Sequence, residues 1–286
     1  HNIARETFEL IHNSTGIDIK DIIFNNSDDK LNQTQYTQLS IFCSSISIFN
    51  VLKEELDINK LNLNFMLGHS LGEYTALTAA GYLSIENCAK LLKKRGELMQ
   101  NSIEPNKSGM AAIIGVDCEK VEKIINDKNL NIEIANDNSP IQVVISGKNI
   151  DIENSKKILL ENGIKKFIPL NVSAAFHSKY MEKAEFKMKE LILNTNFNES
   201  NIPIISNFSA NFAKNIKELI FNLSRQMSNK VRWVESIKTI EKNQENEIIE
   251  IGPGKVLSGL IRRITNSMKI INIENISDID KIKNEI

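Results

Sequence analysis

Asn64-Phe65-Met66-Leu67-Gly68-His69-Ser70-Leu71-Gly72-Glu73-Tyr74 is an apolar run followed by Gly-x-Ser-x-Gly, and Thr75 to Ala80 continue it with helix-forming residues. The order predicts a strand, a sharp turn and a helix. A serine at a strained strand-to-helix turn points its hydroxyl outward, and glycines at 68 and 72 let the backbone crowd there. Ser70 is therefore a candidate nucleophile, weighed against an ordinary turn serine. The helix that follows brings a partial positive charge and free N–H groups, so the Leu71 N–H is placed to steady a developing oxyanion. Gly81 supplies the helix stop.

Outward from this turn the chain alternates helices and strands. Upstream, residues 37–56 carry Leu39, Phe42, Cys43, Ile46, Phe49 and Leu52 at spacings of three and four, an amphipathic helix against the core. Downstream, Ser84 is an N-cap for a helix running to about Gln100. Arg95 falls on the apolar stripe of that helix, on one face with Cys88, Leu92 and Met99. A guanidinium there needs an anion, which a ligand would supply; the competing readings are a structural ion pair and a snorkelling stem.

Residues 109–171 form a unit of their own. Strands over 110–116, 132–135, 142–146 and 166–170 and helices over 119–127 and 151–161 follow in the order β-α-β-β-α-β, a ferredoxin-like arrangement inserted into a larger body. The remaining strands, 202–205, 247–251 and one near Ile270, alternate with helices over 216–227, 232–240 and 256–264. The expected fold class is α/β, with a mostly parallel sheet, an α/β-hydrolase-like nucleophile elbow and the inserted subdomain. The large domain is expected over 1–108 and 172–286, the subdomain over 109–171.

Immediately after the subdomain, Ala174-Ala175-Phe176-His177-Ser178 leads into another helix. Of the four histidines, His1 and His12 lie near the start and His69 flanks Ser70, which leaves His177 on a separate loop. A serine hydroxyl needs a neutral imidazole to take its proton, so His177 is the candidate base.

Composition excludes several classes. With 286 residues, 35 Lys+Arg against 36 Asp+Glu and a net charge of −1, there is no general attraction to nucleic acid or membrane. No apolar run approaches the ~18 residues of a membrane span. Cys43, Cys88 and Cys118 are too scattered for a zinc site or a disulfide framework and read as core residues of a cytoplasmic protein. The chain begins at His1 without a methionine, so it reads as N-terminally incomplete.

The string Gly68-His69-Ser70-Leu71-Gly72-Glu73-Tyr74 closely resembles the active-site signature of malonyl-CoA:acyl carrier protein transacylases and related polyketide synthase acyltransferase domains. Lys94-Arg95-Gly96, Ala174-Ala175-Phe176-His177 and Ile251-Gly252-Pro253-Gly254-Lys255-Val256-Leu257 extend the likeness over nearly the whole chain. The resemblance implies malonyl transfer from CoA to the phosphopantetheine thiol of acyl carrier protein through a malonyl-serine intermediate, supplying fatty acid synthesis. In that reading Ser70 is the nucleophile, His177 the base and Arg95 the partner of the malonyl carboxylate, with Leu71 on the oxyanion. No cofactor or metal is implied, and the partners expected are malonyl-CoA and acyl carrier protein, with no nucleic acid, no membrane and a monomeric chain. Lys165-Lys166 or Arg262-Arg263 are expected to dock the acidic carrier.

Two departures stand out. No Gly-Gln-Gly-Ser-Gln loop, whose glutamine completes the family's oxyanion site, precedes residue 37; loss of one such donor typically costs ~10² to 10³ in rate. Arg232 stands where some relatives carry glutamine, at the position expected to offer its backbone carbonyl to the histidine. The competing readings are a serine esterase or thioesterase, which needs no buried arginine, and a catalytically impaired carrier-binding remnant.

Overall fold

Before the elbow the chain is helical: α1 (Asn2–Thr15), α2 (Ile19–Asn25) and the long α3 (Thr34–Glu55). The structure, a computed structural model, describes residues 1–57, 61, 63–104 and 107–283. The α3 residues expected to face the core, Leu39, Phe42, Cys43, Ile46, Phe49 and Leu52, are all buried, which makes α3 the central post of the larger core. α4 (Leu71–Ala79) starts at the elbow, and α5 (Ile85–Gln100) lies across α1 and α3. Ser84 caps α5 by accepting the Asn87 N–H at 3.1 Å.

The next segment runs β1 (Ser108–Ile114), α6 (Cys118–Asp127), β2 (Ile132–Ser139), β3 (Gln142–Lys148), α7 (Asn149–Glu161) and β4 (Lys166–Pro169). Its four strands form an antiparallel sheet in the spatial order β2-β3-β1-β4. Side chains alternate across a strand, so the sheet has two apolar faces with different tasks. Ala111, Ile113, Ile132, Ile134, Val143 and Ile145 pack with α6 and α7. Met110, Ala112, Ala135 and Val144 instead pack against Leu170, Val172 and Phe176, the approach to His177. β2 runs through to Ser139, past the expected end at 135, and the hairpin turn is Pro140-Ile141.

The remainder comprises α8 (Glu182–Leu193), α9 (Ile216–Ser224), α10 (Trp233–Lys242), β5 (Glu247–Ile251), α11 (Val256–Ile264), β6 (Lys269–Ile273) and α12 (Ile276–Lys283). The short helices α2 and α12 carry no long apolar period and escape a reading of the sequence.

The fold is mixed α/β, but the expected mostly parallel sheet is not what the named strands build. The four-stranded sheet is antiparallel throughout, and β5 pairs with β6 as the parallel pair. The run before the elbow is no full strand: Met66 makes a single parallel bridge to Ile204, donating to Pro203 O at 2.9 Å and accepting from Ile205 at 3.1 Å. Alternation of strands with helices permits parallel pairing without fixing how long each pairing runs. Among the described residues no helix is long and apolar enough to cross a membrane, and all three cysteines are free and buried.

Candidate active site

The elbow is strained at Ser70, whose φ of 52° and ψ of −109° lie where few non-glycine residues go. Gly68 makes the turn sterically possible: a Cβ there would sit 2.0 Å from the Gly72 carbonyl carbon. The absence of a side chain at Gly72 is not required in the same way, since a Cβ added there meets nothing within 4 Å. What holds the turn is Asn207. Its Oδ1 accepts the Ser70 N–H at 2.6 Å and its Nδ2 donates to Gly68 O at 2.7 Å.

His177 reaches Ser70 from the loop that β1 and β3 support. Ser146 Oγ donates to Phe176 O at 2.5 Å, and the Ala175 N–H donates to Ser108 Oγ at 3.1 Å. Those anchors set His177, itself at φ 55°, with Nε2 2.8 Å from Ser70 Oγ. Nδ1 faces the carbonyls of Gln226 at 3.0 Å and Asn229 at 3.2 Å. Carbonyls only accept, so Nδ1 carries the hydrogen and Nε2 is left bare to take the serine proton. Burial, then the charge on Arg95, pushes the His177 pKa down to about 3, so the imidazole is neutral at ordinary pH.

Arg95 is 1 % exposed. Its Nη2 donates to Ser70 Oγ at 3.0 Å and to Gln226 Oε1 at 2.9 Å, Nη1 donates to Gln38 Oε1, and Nε has no partner. The guanidinium carbon stands 5.4 Å from the centre of the Tyr74 ring. Among the described residues no Lys/Arg–carboxylate ion pair includes Arg95; its direct partners are the neutral oxygens of Gln38, Gln226 and Ser70. Ser70, Leu71, Arg95, His177, Gln38 and Phe176 line one cavity of about 260 Å³. As first residue of α4, Leu71 has an amide without an acceptor in its own helix. A larger cleft of about 570 Å³ between α3, α4 and β5 contains none of Ser70, Arg95 and His177 and is not the site.

Residues 3–281 match the acyl transferase domain family. The chain belongs to that family. It is 34% identical over 276 residues to the malonyl CoA-acyl carrier protein transacylase of Bacillus subtilis, covering 95% of this chain and 86% of that protein. It is 42% identical over 239 residues to the polyketide biosynthesis protein PksE of the same organism, covering 82% of this chain and 30% of PksE. The acyl-carrier-protein-S-malonyltransferase structure from Bartonella henselae superposes with a TM-score of 0.94 at 35% identity, over 100% of this chain and 91% of that one.

In this acyl transferase, Ser70, Leu71, Arg95 and His177 come together as expected from the sequence, and Arg232 does not. The Arg232 carbonyl accepts from Ser236 in the first turn of α10, and its guanidinium pairs with Glu235, while the histidine is held by Gln226. Gln38, Glu73, Asn207 and Gln226 are site residues that sequence reasoning missed. Glu73 had a signal, being an acid inside the apolar helix after the elbow; the three amides had none.

Proposed function

We propose that this acyl transferase moves the malonyl group from malonyl-CoA to the phosphopantetheine thiol of acyl carrier protein, supplying fatty acid synthesis. The observation that carries the reading is the setting of one hydroxyl: Ser70 Oγ lies 2.8 Å from a neutral imidazole and 3.0 Å from a buried guanidinium. His177 takes the Ser70 proton as Oγ attacks the thioester carbonyl. The Leu71 N–H and the start of α4 stabilise the oxyanion of the tetrahedral intermediate. On its collapse the carbon–sulfur bond breaks, His177 returns the proton to the departing CoA sulfur, and Ser70 holds the malonyl ester. The carrier thiol then repeats the sequence in reverse. The Gln226 and Asn229 carbonyls hold the imidazole tautomer, the task a carboxylate performs in other serine triads. Arg95 binds the malonyl carboxylate, which a two-pronged guanidinium matches in shape and charge.

A thioesterase would share Ser70 and His177 but has no use for a buried cation in the acyl cavity. The discriminating experiment is to isolate the malonylated protein and add either holo acyl carrier protein or buffer. Label should move to the carrier much faster than it is lost to water. Release of free malonate at the same rate with and without carrier would identify a hydrolase.

The division into a large domain over 1–108 and 172–286 and a ferredoxin-like subdomain over 109–171 belongs to the same reading. The separate core beneath α6 and α7 supports it. So does the chain order of the antiparallel sheet. The protein acts in the cytoplasm as a monomer, without nucleic acid, cofactor or metal; its near-zero net charge supports the first of these exclusions.

A further inference from the structure

Gln226 is 1 % exposed and does not line the acyl cavity, yet its side chain touches two of the groups that do. Nε2 donates to Ser70 O at 2.9 Å and to Glu73 Oε2 at 2.7 Å; Oε1 accepts from Arg95 Nη2 at 2.9 Å. Glu73 Oε2 also takes the Asn207 N–H at 3.1 Å, from the residue that holds the elbow.

We propose that the Gln226 side chain is a specificity-determining positioning residue, a neutral amide set between the Glu73 carboxylate and Arg95 that holds the guanidinium in place while leaving its charge to the substrate carboxylate. The inference rests on the reading of Arg95 as the malonyl anchor. Its direction is fixed by donor and acceptor chemistry. A carboxylate presents only acceptors, so the amide must turn its NH2 to Glu73; a guanidinium presents only donors, so the amide oxygen must face Arg95. Flipping the amide would set acceptor against acceptor and donor against donor. Arg95 therefore meets neutral oxygens at Gln38, Gln226 and Ser70, and among the described residues no carboxylate pairs with it. A direct Glu73–Arg95 pair would hold the guanidinium equally well but would neutralise it, and an anionic acyl group would lose its advantage.

The test exchanges the two side chains. Glu73→Gln with Gln226→Glu keeps the volume and total charge of the cluster and moves the carboxylate onto Arg95. The steady-state kcat/KM for malonyl-CoA and acetyl-CoA is measured for the original protein, the exchanged variant and Arg95→Ala, each checked for folding by circular dichroism. The exchanged variant should lose about 10- to 100-fold of its preference for malonyl over acetyl, read as the ratio of the two kcat/KM values so that a loss common to both substrates cancels. A folded exchange that keeps the full preference overturns the proposal. If the exchange does not fold, Gln226→Met serves: the same fall in preference supports the proposal, and equal losses on both substrates refute it. Should Arg95→Ala keep the original preference, the underlying reading of Arg95 fails as well, which separates the two cases.

Discussion

Arg95 Nη2 and Ser70 Oγ, 25 residues apart in the chain, are 3.0 Å apart in the site. The group proposed to select the acyl chain thus touches the atom proposed to attack it. Charge-assisted hydrogen bonds contribute about 1.5–3 kcal/mol each, so Arg95→Ala should lower kcat/KM for malonyl-CoA by about 10- to 10³-fold. Acetyl-CoA has no carboxylate to lose, and its rate should hold or rise. Parallel losses on both substrates would make Arg95 a structural residue.

The pH profile tests His177. With its pKa pushed down to about 3 by burial and by Arg95, the base is already neutral through the range where a free histidine titrates. Acylation by malonyl-CoA should be flat from about pH 5.5 to 8, and a limb centred near 6.5 would contradict this. Stability responds too. As pH falls from about 6.5 toward 3 the unfolded chain takes up a proton that folded His177 refuses, so stability drops across that interval. His177→Ala should remove this share of the acid sensitivity and slow acylation by about 10² or more.

Two glycines of the same motif should behave differently. Gly68→Ala forces a Cβ into the backbone of residue 72 and should cost about 3 kcal/mol or more, or abolish folding. Gly72→Ala adds a methyl where nothing lies within 4 Å, inside the first turn of α4, and should be neutral or slightly stabilising. Thermal unfolding of the two variants decides; equal losses would contradict the close approach at Gly68.

Asp137, on β2 with its N–H donated to Val231 O, carries a buried carboxyl pushed up to about 6, first by burial, with Lys230 pulling back and Glu235 and Glu122 adding to the rise. Between the unfolded value near 3.9 and about 6 the folded protein keeps a proton that the unfolded chain has released, so stability falls as pH rises through that window. Asp137→Asn should raise Tm by a few degrees at pH 8, and the gain should shrink toward pH 4. A gain independent of pH would assign the effect to packing instead.

The parts legible in the sequence were those written in local periodicity or in one short string. The α3 and α5 faces, the Ser84 cap, β5, α11 and the elbow at Ser70 are of that kind. The bracket around the elbow is not, because Asn207 and Gln226 act on residues about 140 and 156 positions away, and an amide in a loop looks the same whether or not it meets them. Arg232 shows the converse error: its likeness in position to a glutamine of some relatives suggested a carbonyl contact to the histidine, but the first turn of α10 uses that carbonyl for itself. Pairing length was equally hidden, since two hydrogen bonds at Met66 do what a full strand was expected to do.

The most direct test of the account is the intact mass of the protein after brief incubation with malonyl-CoA, beside Ser70→Ala treated identically. The original protein should gain one malonyl group, mapped to Ser70, and the alanine variant none. Equal labelling of both, or labelling at another residue, would contradict the account at its centre.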